Sequence, residues 1–192
     1  MNWWRLGQNR PHTALKILTG AEWTCEACAD PHIGMIDLAP FAPHPWGGTN
    51  DYAPNSAVTL DGDFLSEDFC VMDGRYFMVR CVMEIPVHGM EYRFGFGCWG
   101  SLSRTNFEVY LDLFDNGEFE VAGPWSSWLC NQFCDYIGDD SVACWMVPQL
   151  GRQRPLLNIA DEGHPLARDQ RSGVSPERVM EYYKFYGHAP SA

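Results

Sequence analysis

The chain has 192 residues, 46% of them hydrophobic and 14% aromatic, with 13 prolines and 18 glycines. This is one domain's worth of chain, able to withdraw roughly 70% of its unfolded surface from water, and it excludes a disordered segment, a disulfide-dense miniature scaffold and a helical bundle. A net charge of −12 at pH 7 disfavours nucleic acid and anionic membranes as partners and favours a basic protein or a cation.

The first twenty residues read as an N-terminal extension to a single domain over 21–187, with 188–192 as a tail. The opening MNWWRLGQNRPHTALK lacks the apolar core of about 7–15 residues and the small-residue cleavage site of a secretory signal, and no run approaches the ~20 apolar residues of a membrane span. A cytoplasmic protein is expected, in which reducing conditions keep the eight cysteines as thiols or metal ligands.

Next comes WTCEACADPH, which sets Cys25 and Cys28 three apart and His32 four further on. The segment lies in a stretch, Ile17 to Gly74, with ten acids and no Lys or Arg. A second base-free stretch, Thr105 to Gly151, carries eight acids, whereas Arg152 to Lys184 holds six of the 13 basic residues. An acidic face of this kind either serves solubility or steers a basic partner.

Phe69 to Leu102 predicts a three-stranded antiparallel meander. Asp73-Gly74 is one tight turn and Gly89-Met90 suits a type II′ turn with glycine first. If Gly89-Met90 is the second loop, Val79 opposes Gly100, Cys81 opposes Cys98, Met83 opposes Phe96 and Ile85 opposes Phe94, all on one apolar face. If Asp73-Gly74 is the first, Cys70 opposes Phe77 and joins that face. The other face, with Arg80, Glu84, Arg93 and Trp99, is expected to be partly wet. Cys70, Cys81 and Cys98 are then small core hydrophobes.

After the meander, SRTNFEVYLDLFDNG predicts a helix capped by Ser103 or Thr105, with Phe107, Tyr110, Leu111 and Phe114 on one face and Gly117 past its end. Strands follow at Trp125–Leu129, Val142–Val147 and Leu156–Ile159. Ser175-Pro176-Glu177 starts another helix with a stripe of Val179, Tyr182, Tyr183 and Tyr186. The order of elements gives an α+β fold, an antiparallel sheet with two or three helices packed on one face.

Three places carry candidate chemistry. C-x-x-C is half of a tetrahedral zinc site, because its spacing lets both thiolates reach one ion at about 2.3 Å. His32 supplies a third ligand, and Cys130 or Cys134 of LCNQFCDY a fourth; Cys144 on a strand and His44 are further possibilities. The competing readings are packing thiols and a redox dithiol, the last lacking a βαβ context. In DEGHPLARDQRSG, His164, Asp169 and Gln170 converge with Arg168 or Arg171, or else His164 merely caps a helix opening at Pro165. Arg80 and Trp99, opposed on the second meander face, form a cation–π pair or part of a ligand platform. No G-x-S-x-G elbow, helical H-E-x-x-H or phosphate-cradling glycine loop is present.

The C-x-x-C-x-x-x-H near the start, the F-M-V-R-C-V-M-E-I-P-V strand, the W-G-S-L-S after it and H-P-L-A-R-D-Q-R-S-G-V-S near the end resemble the bacterial "domain of unknown function 2199" family. The resemblance covers roughly Trp23 to Tyr186 and implies an architecture but no chemistry. Members commonly carry glycine directly after the second cysteine, where this chain has Ala29. Two functions are carried forward. One is a non-enzymatic, zinc-stabilised module whose acidic surface binds a basic protein, as an immunity- or antitoxin-like inhibitor would. The other is a metal-dependent hydrolase using Cys25, Cys28 and His32 with an open fourth position.

Overall fold

A computed structural model describes residues 11–117, 119, 122–136 and 141–191. Helix α1 (Pro11–Leu18) leads into a small hairpin of β1 (Glu22–Thr24) and β2 (Pro31–Ile33). The main sheet comprises β3 (Phe64–Leu65), β4 (Phe69–Met72), β5 (Tyr76–Pro86), β6 (Arg93–Leu102), β7 (Trp125–Trp128), β8 (Ala143–Val147) and β9 (Leu156–Ile159). Three helices join it: α2 (Arg104–Asn116) between β6 and β7, and α3 (Pro165–Ser172) and α4 (Pro176–Phe185) after β9.

The α+β class stands, with two corrections. Four helices are present among the described residues, and the sheet is mixed, because β9 runs parallel to β5 at Val82↔Leu156. The reason is length. Four-residue β4 covers only Tyr76–Val79 of the eleven-residue β5, leaving an edge where the Val82 amide donates to Pro155 O. The sheet then curls: the Gly100↔Leu129 bridge brings the end of β7 back to β6, where Cys130 N donates to Trp99 O.

The β5–β6 register is the one the sequence predicts, with Val79↔Gly100, Cys81↔Cys98, Met83↔Phe96 and Ile85↔Phe94. The loop is wider than two residues, since pairing ends at Pro86↔Arg93 and Val87 bridges to Val174 instead. The first turn differs by one residue. Met72 pairs with Tyr76, so the loop is Asp73–Arg75, with Asp73 and Gly74 both left-handed (φ 54 and 60). A slip of one flips every side chain of a strand. Phe69 and Val71 therefore face the main core, and Cys70 packs on the opposite face with Leu65, Met78 and Trp99.

That second face is wet only at its Glu84 and Arg93 end, where the side chains are 43% and 55% exposed. Trp99 is fully buried and Arg80 nearly so at 7% exposure, covered by the segment around Ala42, Trp46 and Tyr52. The main core takes Cys81, Met83, Ile85, Phe94 and Phe96 from the sheet, Leu18 from α1, Phe107 and Tyr110 from α2, Leu166 from α3, and Val179, Tyr182 and Tyr183 from α4.

Helix boundaries follow their caps. Ser103 Oγ accepts from Asn106 N at 3.2 Å, Gly117 ends α2 at φ 74, and Ser175 Oγ accepts from Arg178 N at 3.3 Å. Both segments outside 21–187 are tied into the fold where described: α1 buries Ala14 and Leu18, and 188–191 lie along β1. Residues 1–10 of the expected extension lie outside the described residues. No described helix is long and apolar enough to cross a membrane.

Candidate metal centre

The hairpin β1–β2 is only three residues deep on each side, pairing Glu22↔Ile33, Trp23↔His32 and Thr24↔Pro31. Its anchor is Trp23, buried against Tyr183 (ring centroids 5.6 Å) with Nε1 donating to Gly34 O at 2.9 Å. The exposed end of the hairpin is a tight knuckle. Cys25 N donates to Asp30 O (3.1 Å), Ala29 N to Cys25 O (3.0 Å), and Ala27 N to the Cys25 sulfur (3.4 Å).

Ala29 sits in the left-handed region at φ 58. The turn that glycine would make freely is thus made by alanine, at a cost of about 1–2 kcal/mol for an L-residue. Folding this way brings Cys25 Sγ, Cys28 Sγ and a His32 ring nitrogen within 4.8 Å of one another. Cys28 Sγ lies 3.3 Å from His32 Nε2. A tetrahedral zinc with bonds of about 2.3 Å to sulfur and 2.0–2.1 Å to nitrogen has sulfur–nitrogen edges of about 3.5 Å, close to the Cys28–His32 separation, so this pair fits one edge of such a site and the group could hold an ion.

The group is graded in exposure, with Cys25 buried, His32 half-buried and Cys28 exposed. Burial acts to raise the Cys25 thiol, but the backbone amides of Cys28 and Ala27 outweigh it and hold the pKa below its ordinary value. The Asp30 amide pulls the Cys28 thiol down, while desolvation and the neighbouring Cys25 carry it above the ordinary value.

The other cysteines contrast with this. Cys130 and Cys134 do not join the group. Cys130 packs against the second face of the sheet with Cys70 and Trp99, where burial pushes it up to about 12. Cys134 lies in the main core beside Tyr186, whose hydroxyl accepts from its amide at 3.0 Å, and burial raises its thiol too. Burial likewise drives Cys70 and Cys144 to about 12 and Cys81 and Cys98 well above their ordinary value. Among the described residues, these thiols lie outside the Cys25, Cys28 and His32 group. His44 is exposed, its amide bonded to Cys130 O.

The second constellation divides: His164, Arg168 and Asp169 line one cavity, Gln170 and Arg171 another. His164 Nδ1 accepts from Leu166 N at 3.2 Å and so caps α3. Gln170 clamps β9, accepting from Ile159 N and donating to Leu157 O, both at 2.9 Å. Arg171 bonds Glu162 O. Asp169 accepts from the Tyr136 hydroxyl, a partner that short-range spacing could not reveal, and both line a cavity of 490 Å³ with Asp135, His164, Arg168 and Arg178. The Arg178 guanidinium beside Asp135 holds that carboxyl below its ordinary value. Arg80 lies 5.4 Å from the Trp99 ring centre and donates to Pro40 O and the Tyr52 hydroxyl, a buried cation–π pair rather than a platform open to ligand.

Residues 24–174 match the family described as "Uncharacterized protein conserved in bacteria (DUF2199)", well over half the chain. The chain belongs to the DUF2199 family. The match contains all three metal donors and stops at Val174, before α4 begins. No curated protein and no solved structure matches the chain.

Proposed function

We propose that this DUF2199 protein is a non-enzymatic binding module: a zinc ion on Cys25, Cys28 and His32 staples its N-terminal hairpin, and its acidic surface captures a basic protein, as an immunity-type or antitoxin-like inhibitor does. The observation that carries this reading is where the donors lie. They meet at the exposed tip of a hairpin whose strands are three residues long, and Glu22, Glu26 and Asp30 beside them are all exposed. A hairpin this short has little of its own to hold it together, so a metal crosslink at the tip has structural work to do.

A hydrolase would need its metal in a concave, water-excluding site. The cavities around Tyr136 and Asp169, around Asn158 and Gln170, and around Asp63 and Asp73 do not include the three donors. Within the Asp61–Asp73 region Glu67 and Asp68 pair with Arg154, while the Asp61 side chain is 95% exposed and lies 4.0 Å from Arg104. Affinity capture from the native host at graded ionic strength tests the reading. A basic protein should be retained at low salt and its association rate should fall steeply as salt rises. Retention of no basic protein, or binding indifferent to salt, contradicts it.

A further inference from the structure

The geometry points to His188 as the fourth ligand, closing a Cys2His2 zinc site that fastens the C-terminal segment to the N-terminal hairpin. His188 Nδ1 lies 3.3 Å from Cys25 Sγ, the same separation as His32 Nε2 from Cys28 Sγ. Each is close to the sulfur–nitrogen edge of about 3.5 Å expected in a zinc tetrahedron. Cys25 is shared between His188 and the group that gathers Cys28 and His32 within 4.8 Å; His188 stands outside that group, and a swing of its imidazole toward Cys28 and His32 completes the site.

Backbone pairing, not chance proximity, places His188. Gly187 (φ 75) ends the turn after α4, and His188 N donates to Tyr183 O at 2.7 Å. The chain then runs antiparallel to β1. Glu26 N donates to Ala189 O (2.9 Å), Cys25 bridges Pro190, and Ser191 N donates to Thr24 O (2.8 Å). Trp23 on Tyr183 fixes the same junction from the core side. The imidazole is thus carried to Cys25 by a C-terminal segment bridged to the hairpin at Pro190, from where it would turn toward Cys28 and His32 to close the site.

The chemistry balances. Both thiols lose their protons to solvent, both imidazoles bind neutral, and two thiolates offset the charge of Zn²⁺. Because His188 lies beyond the family match, the metal joins a part of the chain outside 24–174 to one inside it. Four protein donors leave no position for substrate water, which makes the ion structural.

This inference rests on the reading of Cys25, Cys28 and His32 as a metal site, and titration of the full chain with Co²⁺ alone separates the two. The wild type should develop the visible bands of tetrahedral cobalt together with thiolate-to-cobalt charge transfer. His188→Ala should weaken Co²⁺ binding by more than about 100-fold, beyond the 10–100-fold typical of a lost outer-shell partner, with the fold followed by far-ultraviolet circular dichroism. His188→Cys restores a donor and should recover tight binding with stronger charge transfer. If His188→Ala binds Co²⁺ as the wild type does while Cys28→Ala does not, the fourth-ligand inference is overturned and the metal site stands. A wild type that takes up no Co²⁺ overturns both.

Discussion

Ala29 shows how much a single dihedral can decide. Its positive φ is what turns the chain between Cys28 and Asp30 and lets Ala29 N reach Cys25 O. Ala29→Gly removes a left-handed cost of about 1–2 kcal/mol and adds back about 0.5–1 kcal/mol of unfolded-chain freedom. The substitution should therefore raise the unfolding free energy by about 0.5–1 kcal/mol in urea titrations; a loss of stability would mean that the knuckle does not adopt this turn. Of the site itself, Cys25, Cys28 and His32 were legible because ligand spacing within one loop is a local pattern. His188 was not, since it stands 163 residues from Cys25 and comes to it only through pairing of the chain's last strand-like segment.

At the scale of elements, the β5–β6 register could be read because its centre of symmetry falls at Gly89-Met90 whatever the loop's width. The β4–β5 register could not. Asp73-Gly74 marks a turn equally well with two loop residues or three, and the third, Arg75, moves Cys70 to the opposite face. The second meander face is partly wet, at Glu84 and Arg93, but its Arg80 and Trp99 half is covered, and that could not be read: the cover, from Pro40 to Tyr52, is irregular chain with no periodicity to announce it. Arg80 is the peg that holds this cover, with Nη1 on the Tyr52 hydroxyl (2.8 Å), Nη2 on Pro40 O (2.7 Å) and its plane near Trp99. Hydrogen bonds to charged groups contribute about 1.5–3 kcal/mol each. Arg80→Ala should lower stability by roughly 3 kcal/mol and red-shift tryptophan emission as Trp99 is wetted, whereas Arg80→Lys, lacking the planar fork, should recover only part. A change under about 1 kcal/mol would show that the cover holds without it.

Across the whole molecule, the curled sheet and its four helices share one core, and the hairpin is joined to it chiefly through Trp23, Cys25 and Tyr183. The α+β class was readable from caps, turns and alternation, because those are short-range signals. The parallel β5–β9 contact and the curl were not, since both depend on which strand edges remain open after the meander forms. The same logic makes the proposed metal a long-range tie: an ion held by the hairpin and His188 would link the start of the domain to its end, so removing it should loosen both together. Differential scanning calorimetry of protein with known zinc content, before and after dialysis against a chelator, measures this most directly. About one zinc per chain is expected, with a clear fall in the unfolding temperature on its removal and recovery when zinc alone is returned. Protein that carries no zinc, or whose unfolding temperature is unchanged when zinc leaves, would contradict a metal-stapled fold.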